Sequence, residues 1–148
     1  MAAEPLNMCV AVPALQRDYA LYCGQQAATL LPRLLNEVGA VGRIIVCSDE
    51  NVAALHGDRV LSLLRESGCT ALAWTMPAGE VHKTLQTVDV AYRWLAAQRV
   101  ERGDTLLALG GGVVGDLSGF VAATYLRGLR LVQMPTTLVA QVDSALGG

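Results

Sequence analysis

The residues best placed to do chemistry are polar side chains that directly follow short apolar runs: Asp49, Glu80, Lys83, Asp116, Thr136 and Thr137. With them stands a glycine-rich turn. The uncharged run at 105–109 reads as a buried strand, breaks at Gly110, Gly111 and Gly112, and gives way to a second apolar pattern. Val113, Val114, Leu117, Phe120, Val121 and Thr124 recur at spacings of three and four, which puts them on one face of a helix. A strand that turns through glycines into a helix aims bare backbone N–H groups and the positive helix end at one point. The chemistry this suits is phosphate binding, because first-turn amides lack internal partners and no Cβ blocks the approach.

Gly110–Gly115 satisfy the spacing G-x-G-x-x-G in the strand-to-helix setting it requires. A dinucleotide fold of the usual kind also places an acid about 20 positions further on, for the ribose hydroxyls. Here the next strand exit offers Gln133, Met134 and Pro135. Two readings stay open: a tight, glycine-packed turn, or a nucleotide whose ribose is held from other strands. For the second, Asp49 and Glu80 are the natural acids, since a carboxylate can accept two hydroxyls. Asp116, read as part of the helix's first turn, either complements the helix dipole, worth about 0.3–1 kcal/mol, or contacts the ligand beside the phosphates. Thr136 and Thr137 either cap the last helix or bind phosphate or ribose. Arg130 reads as a surface charge. Asp143 lies among Leu138, Val139, Val142 and Leu146, where an acid calls for a partner.

The elements that must position these groups follow from the pattern. Met8–Val12 and Arg17–Cys23 read as two short strands around Pro13, and a helical stretch runs from Gly24 to Val38, with Pro32 inside it. Strands are expected at 43–47, 70–76, 105–109 and 129–134. Helices are expected at 52–66 (broken near Gly57), at 85–98 with Thr84 as N-cap, at 113–124, and at 138–146. Alternating strands and helices make a parallel sheet covered by helices. In such sheets ligands bind beyond the carboxyl ends of strands. The polar clusters at 48–51, 77–83, 110–116 and 135–137 all fall at strand exits, so they should share one edge.

Composition removes other classes. At 148 residues, 53% hydrophobic and 16% charged, the chain suits one apolar globular domain. An apolar excess in so short a chain suggests surface covered by another domain or subunit. A net charge of −2 without a basic block gives no footprint for nucleic acid or an anionic membrane. Residues 105–126 are apolar, but five glycines and Asp116 interrupt them, against a membrane span. The first twenty residues lack the pattern of a signal peptide. Cys9, Cys23, Cys47 and Cys69 form no CxxC pair and read as reduced thiols of a cytoplasmic protein. With two histidines in unrelated contexts, no metal site within this chain is expected.

Together the motifs resemble the N-terminal domain of the 3-dehydroquinate synthases, in the sugar-phosphate cyclase superfamily. The resemblance covers nearly the whole chain. It rests on SDENV at 48–52, PAGEVHK at 77–83, LGGGVVGDLSGF at 109–120, TYLRG at 124–128 and PTTLVAQVDSALGG at 135–148. It implies a Rossmann-like α/β fold, a parallel sheet with helices on both faces. Residues 1–148 would form an NAD-binding domain, with the family's helical metal- and substrate-binding domain absent from this chain. Asp49 and Asn51 would meet the adenosine part of NAD. The loop Ala78, Gly79, Glu80, Val81, His82 and Lys83 would hold ribose, chiefly through Glu80 and Lys83. Gly112, Val113, Val114, Gly115 and Asp116 would cradle the pyrophosphate, and Thr136 and Thr137 would contact the cofactor. Asp143 would line the active site near the substrate, and Arg127 would reach a substrate phosphate across a homodimer interface. Ala145 stands where the family often has serine. The zinc or cobalt ligands, a glutamate and two histidines, would lie beyond Gly148.

The implied reaction converts the seven-carbon keto-acid phosphate DAHP into 3-dehydroquinate and inorganic phosphate, in the shikimate pathway toward aromatic amino acids. NAD would oxidise a ring alcohol, phosphate would leave, and the hydride would return before ring closure. The divalent metal would polarise the alcohol. The isolated chain is expected to be inactive, supplying one wall of the cleft. The alternatives are a polyol or alcohol dehydrogenase of the same architecture, which would release NADH, and a non-catalytic nucleotide-binding module.

Overall fold

The computed structural model describes residues 6–12, 17–24, 27–40 and 42–146. Two antiparallel strands come first, β1 (Leu6–Val12) and β2 (Arg17–Cys23), paired from Leu6↔Cys23 to Val12↔Arg17. Pro13, expected at their turn, lies outside the described residues, as does Gly148.

The main sheet holds β3 (Ile44–Asp49), β4 (Ala71–Met76), β5 (Thr105–Gly110) and β6 (Arg130–Pro135) in the order β4-β3-β5-β6. All three pairings are parallel. β5 is the best-buried strand, with six buried residues in succession, as expected of a central strand covered on both faces. Alternation sorts its side chains. Leu106 and Ala108 join Ile45, Cys47, Trp74 and Met76 on the face packed by helices α4 (Leu85–Ala97) and α5 (Gly112–Thr124). Leu107 and Leu109 join Ile44 and Val46 on the opposite face, under α1 (Leu31–Glu37) and α3 (Asp58–Glu66). Helices on both faces of a parallel sheet make the fold Rossmann-like.

Local differences from the sequence reading have local causes. The helical stretch expected from Gly24 begins instead as a 3-10 turn at Ala27–Leu30, and Pro32 falls in the first turn of α1, where its missing N–H costs nothing. The break expected near Gly57 does not occur. The short helix α2 (Glu50–Val52) runs through a π-helical stretch (Ala53–Gly57) into α3, and Gly57 keeps helical dihedrals of φ −58° and ψ −54°. The last helix is shorter than expected and is dominated by a wide turn, Ala140–Ser144. Thr84 caps α4 as expected, accepting from the Thr87 amide at 3.3 Å.

The start of the sheet is fastened by an ionic clamp that sequence reading missed. Asp104, just before β5, is buried and takes the Arg43 guanidinium at 2.7 Å and the Arg43 and Glu101 amides at 2.8 and 2.9 Å. Burial pushes the Asp104 carboxyl up, but these bonds and the Arg43 charge together hold it below the usual carboxylate range.

Candidate functional site

From β3 the chain steps outward to β4, returns across the sheet to β5 on the other side of β3, and continues outward to β6. The order therefore reverses between β3 and β5, whose carboxyl ends are Asp49 and Gly110. A crevice at such a point is where open α/β sheets take ligands. Just below it the buried Ser48 hydroxyl donates to the Leu109 carbonyl at 2.7 Å, locking the two strands together. Parallel pairing carries all four polar clusters to this one edge, as the sequence suggested.

The glycine turn forms the centre. Gly111 is the N-cap of α5, and no side chain caps that end. The first intrahelical bond joins the Gly115 amide to the Gly111 carbonyl at 3.0 Å, so the Gly112, Val113 and Val114 amides have no acceptor within the helix. Each glycine faces a different neighbour. A Cβ on Gly110 would lie 2.6 Å from Val114, and one on Gly115 would lie 2.6 Å from Gln133 Oε1. One on Gly111 would stand 3.2 Å from Thr137 Cγ2, and one on Gly112 3.2 Å from Ser144 Oγ. Gly110 and Gly115 thus serve close packing, while Gly111 and Gly112 keep the mouth between the turn and residues 137–144 free.

Thr136 and Thr137 divide their roles. Thr136 donates its amide to the Gly110 carbonyl at 2.9 Å, and its buried hydroxyl has no hydrogen-bond partner among the described residues. Thr137 Oγ1 accepts from the Ala140 amide at 3.2 Å and so caps the following turn.

The loop after β4 reaches the same place. Gly79 takes φ +109°, in the region only glycine adopts readily, and opens a 3-10 turn at Glu80–His82. The Thr87 hydroxyl holds the His82 carbonyl at 2.6 Å. Lys83 Nζ then bonds Asp116 Oδ2 at 2.7 Å and sits 3.5 Å from Glu80 Oε1. The Asp116 hydrogen bond, then its charge, with a further contribution from Glu80, raise the Lys83 pKa and keep the ammonium protonated. Ala78 is half-buried and Val81 exposed on this loop. Asp116 is a correction: with α5 starting at Gly112 it lies beyond the first turn, and its partner is Lys83 rather than the helix terminus.

Asp49 and Asn51 follow β3. Asp49 caps α2, its Oδ1 accepting from the Val52 amide at 2.9 Å, which leaves its second oxygen for a ligand; Asn51 is exposed. Asp143 is exposed on the Ala140–Ser144 turn beside the glycine mouth. Arg127 is not brought to the site. It lies past the far end of α5, about 20 Å from Gly112 at 1.5 Å per helical residue. It is exposed, with φ +67° in a tight turn with Leu126 and Gly128. Arg130 is exposed and donates to the Gly39 carbonyl at 2.6 Å. Sequence reasoning missed Ser48, Gln133 and Ser144, although all three lie in or next to motifs it singled out.

Among the described residues, no group of three or more His, Cys, Asp or Glu is placed to hold a metal ion, and no helix is long and apolar enough to cross a membrane.

A parallel sheet with an uncapped, glycine-framed helix N-terminus at its switch point defines an α/β domain of the Rossmann-like class. The chain belongs to the 3-dehydroquinate synthase family: the family model described as 3-dehydroquinate synthase N-terminal matches residues 73–148. The 3-dehydroquinate synthase of Paracoccus denitrificans is 47% identical over 135 residues, covering 89% of this chain and 36% of that protein. A solved structure of 2-deoxy-scyllo-inosose synthase complexed with carbaglucose-6-phosphate, NAD+ and Co2+ superposes with a TM-score of 0.83 at 24% identity, covering 96% of this chain and 37% of that one. The 2-epi-5-epi-valiolone synthase of Streptomyces hygroscopicus subsp. jinggangensis, solved with NAD+ and Zn2+ bound, is 32% identical with a TM-score of 0.66, over 71% of this chain and 29% of its own. The chain spans little more than a third of the length of the curated relatives it matches.

Proposed function

We propose that this chain is the NAD-binding domain, residues 1–148, of a 3-dehydroquinate synthase, a carbon–oxygen lyase that converts DAHP into 3-dehydroquinate and phosphate. One observation carries the reading: the bare N-terminus of α5 opens at the sheet's switch point beside the Thr136 hydroxyl, a buried polar atom without a partner among the described residues. A dinucleotide's pyrophosphate fits that donor set, because its oxygens accept what the amides and the hydroxyl offer. The relatives are called 3-dehydroquinate synthases, and two solved cyclases of this fold hold NAD+ together with Co2+ or Zn2+.

The residues then have distinct tasks. The amides of Gly112, Val113 and Val114 hold the pyrophosphate, with Gly115 allowing the turn to sit close to Gln133. Glu80 and the free oxygen of Asp49 accept ribose hydroxyls, and Asn51 borders the adenosine. Lys83, at the end of the ribose loop and paired with Asp116, faces the phosphates. Thr136 and Thr137 border the cofactor from β6, and Asp143 faces the substrate. Held there, NAD would supply reversible hydride exchange with a ring alcohol, with no net NADH released. The divalent metal is assigned to the part of the relatives outside the matched span. Arg127, so far from the glycine turn of its own chain, serves a neighbouring subunit of a cytoplasmic homodimer.

Calorimetric titration with NAD tests the reading. The chain should bind NAD, and Glu80→Ala, at an exposed position, should weaken binding about tenfold by removing a charge-assisted hydrogen bond. No binding at millimolar NAD would refute the cofactor site. The chain alone should not turn over DAHP, and measurable synthase turnover would overturn that part.

A further inference from the structure

The Ser144 hydroxyl stands over the mouth of the glycine turn. Its Oγ lies 3.2 Å, and its Cβ 3.8 Å, from the position a Cβ on Gly112 would take. Ser144 is half-buried, and its hydroxyl makes no hydrogen bond among the described residues. The backbone beneath it is held at both ends. Thr137 caps the start of the turn at the Ala140 amide, and the wide turn closes where the Ala145 amide bonds the Ala140 carbonyl at 3.0 Å. Beyond it, the Leu146 amide bonds the Asp143 carbonyl at 2.9 Å, and the Tyr19 hydroxyl donates to the Leu146 carbonyl at 2.7 Å. A wide turn of this kind rotates the residues after it relative to an α-helix, and such turns recur at functional sites. Here it delivers a hydroxyl without a hydrogen-bond partner among the described residues to the edge of the cradle beside Gly112.

We propose that Ser144 is a cofactor-positioning residue that donates its hydroxyl proton to a pyrophosphate oxygen held at the α5 N-terminus. This rests on the NAD reading above. Gly112 is then required for a second reason: any side chain there would fill the gap between the hydroxyl and the phosphate. A hydroxyl donating to an anionic oxygen makes one of the stronger hydrogen bonds, and one fixed beforehand orders little on binding.

The test is NAD affinity of the full chain, by calorimetry, for the wild type, Ser144→Ala, Ser144→Thr and the double variant Ser144→Ala/Glu80→Ala, with thermal midpoints alongside. Ser144→Ala should weaken NAD binding about tenfold at an unchanged midpoint. Ser144→Thr should restore most of it, and the loss should add to that of Glu80→Ala, which acts on the ribose. The 31P resonances of bound NAD should move in Ser144→Ala. Wild-type affinity in Ser144→Ala overturns the proposal while leaving the cofactor site standing. An equal loss in Ser144→Thr with a lowered midpoint overturns it in favour of a packing role. A wild-type chain that binds no NAD removes both readings.

Discussion

Replacing Gly110 by alanine would put a Cβ 2.6 Å from both Cβ and Cγ2 of Val114 and 2.9 Å from its Cγ1. Carbon atoms pack best at about 3.5–4.0 Å, so each contact is short by roughly 1 Å. Val114 cannot yield by rotation, because its Cβ is fixed to the backbone whatever the rotamer, and it is 1% exposed within the core under α4 and α5. The start of α5 must therefore move. Gly110 is not among the glycines with positive φ, so the cost is one of contact rather than of conformation. Overpacking costs about 1–3 kcal/mol, and three short contacts, one with an immovable atom, place this case near 3 kcal/mol. Urea denaturation followed by circular dichroism, with Gly110→Ala made in three backgrounds, measures it. In Val114→Ala the γ-carbon contacts vanish but the Cβ contact stays, so the cost should fall by about half. In Val114→Gly all three of these contacts are gone, and the cost should be the smallest of the three backgrounds. A cost below about 1 kcal/mol in the wild type, or the same cost in all three backgrounds, would refute the reasoning.

Asp104→Asn should cost about 2–3 kcal/mol at pH 7, since it removes the charge from a buried carboxyl that accepts three hydrogen bonds. Its folded pKa is depressed, so its stabilising contribution is full above the unfolded value near 4 and is lost as pH falls through the folded value. The gap in urea midpoint between wild type and Asn should therefore narrow on acidification, and a gap constant from pH 7 to pH 3 would contradict the clamp. Burial pushes the Cys47 thiol far up, so iodoacetamide should label the exposed Cys23 in the native protein and Cys47 only after unfolding. Native-state labelling of Cys47 would contradict its place in the core.

Much of the fold was legible because the local signals agreed. The strand runs, their polar exits and the Thr84 cap each rest on short-range chemistry, and parallel connection then forces the exits onto one edge. The misreadings mark where counting or propensity loses to packing. Apolar periodicity shows α5 from Val113, but its start depends on Gly111 acting as N-cap, and that shift moved Asp116 out of the first turn. Gly57 suggests a break because glycine costs a helix about 1 kcal/mol. Yet buried Val60 and Leu64 and half-buried Val52 pack against one core and hold the segment together. Pairs such as Lys83–Asp116 and Arg43–Asp104, 33 and 61 residues apart, leave no local trace at all.

The charged groups at the two ends of the sheet are used differently, and the contrast bears on the position of the site. At the amino ends of the strands the charged groups are consumed, although the buried Thr105 hydroxyl at the start of β5 has no partner among the described residues. Arg43 bonds Asp104, the Gln98 carbonyl at 2.8 Å and the Arg99 carbonyl, tying β3 and β5 to the end of α4. A guanidinium there also meets the negative end of that helix, where a cation is favoured. At the carboxyl ends, the corresponding groups are held but not used up. Asp49 keeps one oxygen outside its cap, Thr136 a buried hydroxyl, Ser144 a hydroxyl without a partner among the described residues and α5 its first amides. A buried polar atom left without a partner costs about 1–3 kcal/mol, and of the three such hydroxyls among the described residues, Thr105, Ser118 and Thr136, the last is the one at the ligand edge, where a bound group can repair the loss. The clamp makes that tolerable: with β3 and β5 fixed at one end by Arg43–Asp104 and below the crevice by Ser48–Leu109, the open edge can carry unsatisfied donors without the strands parting.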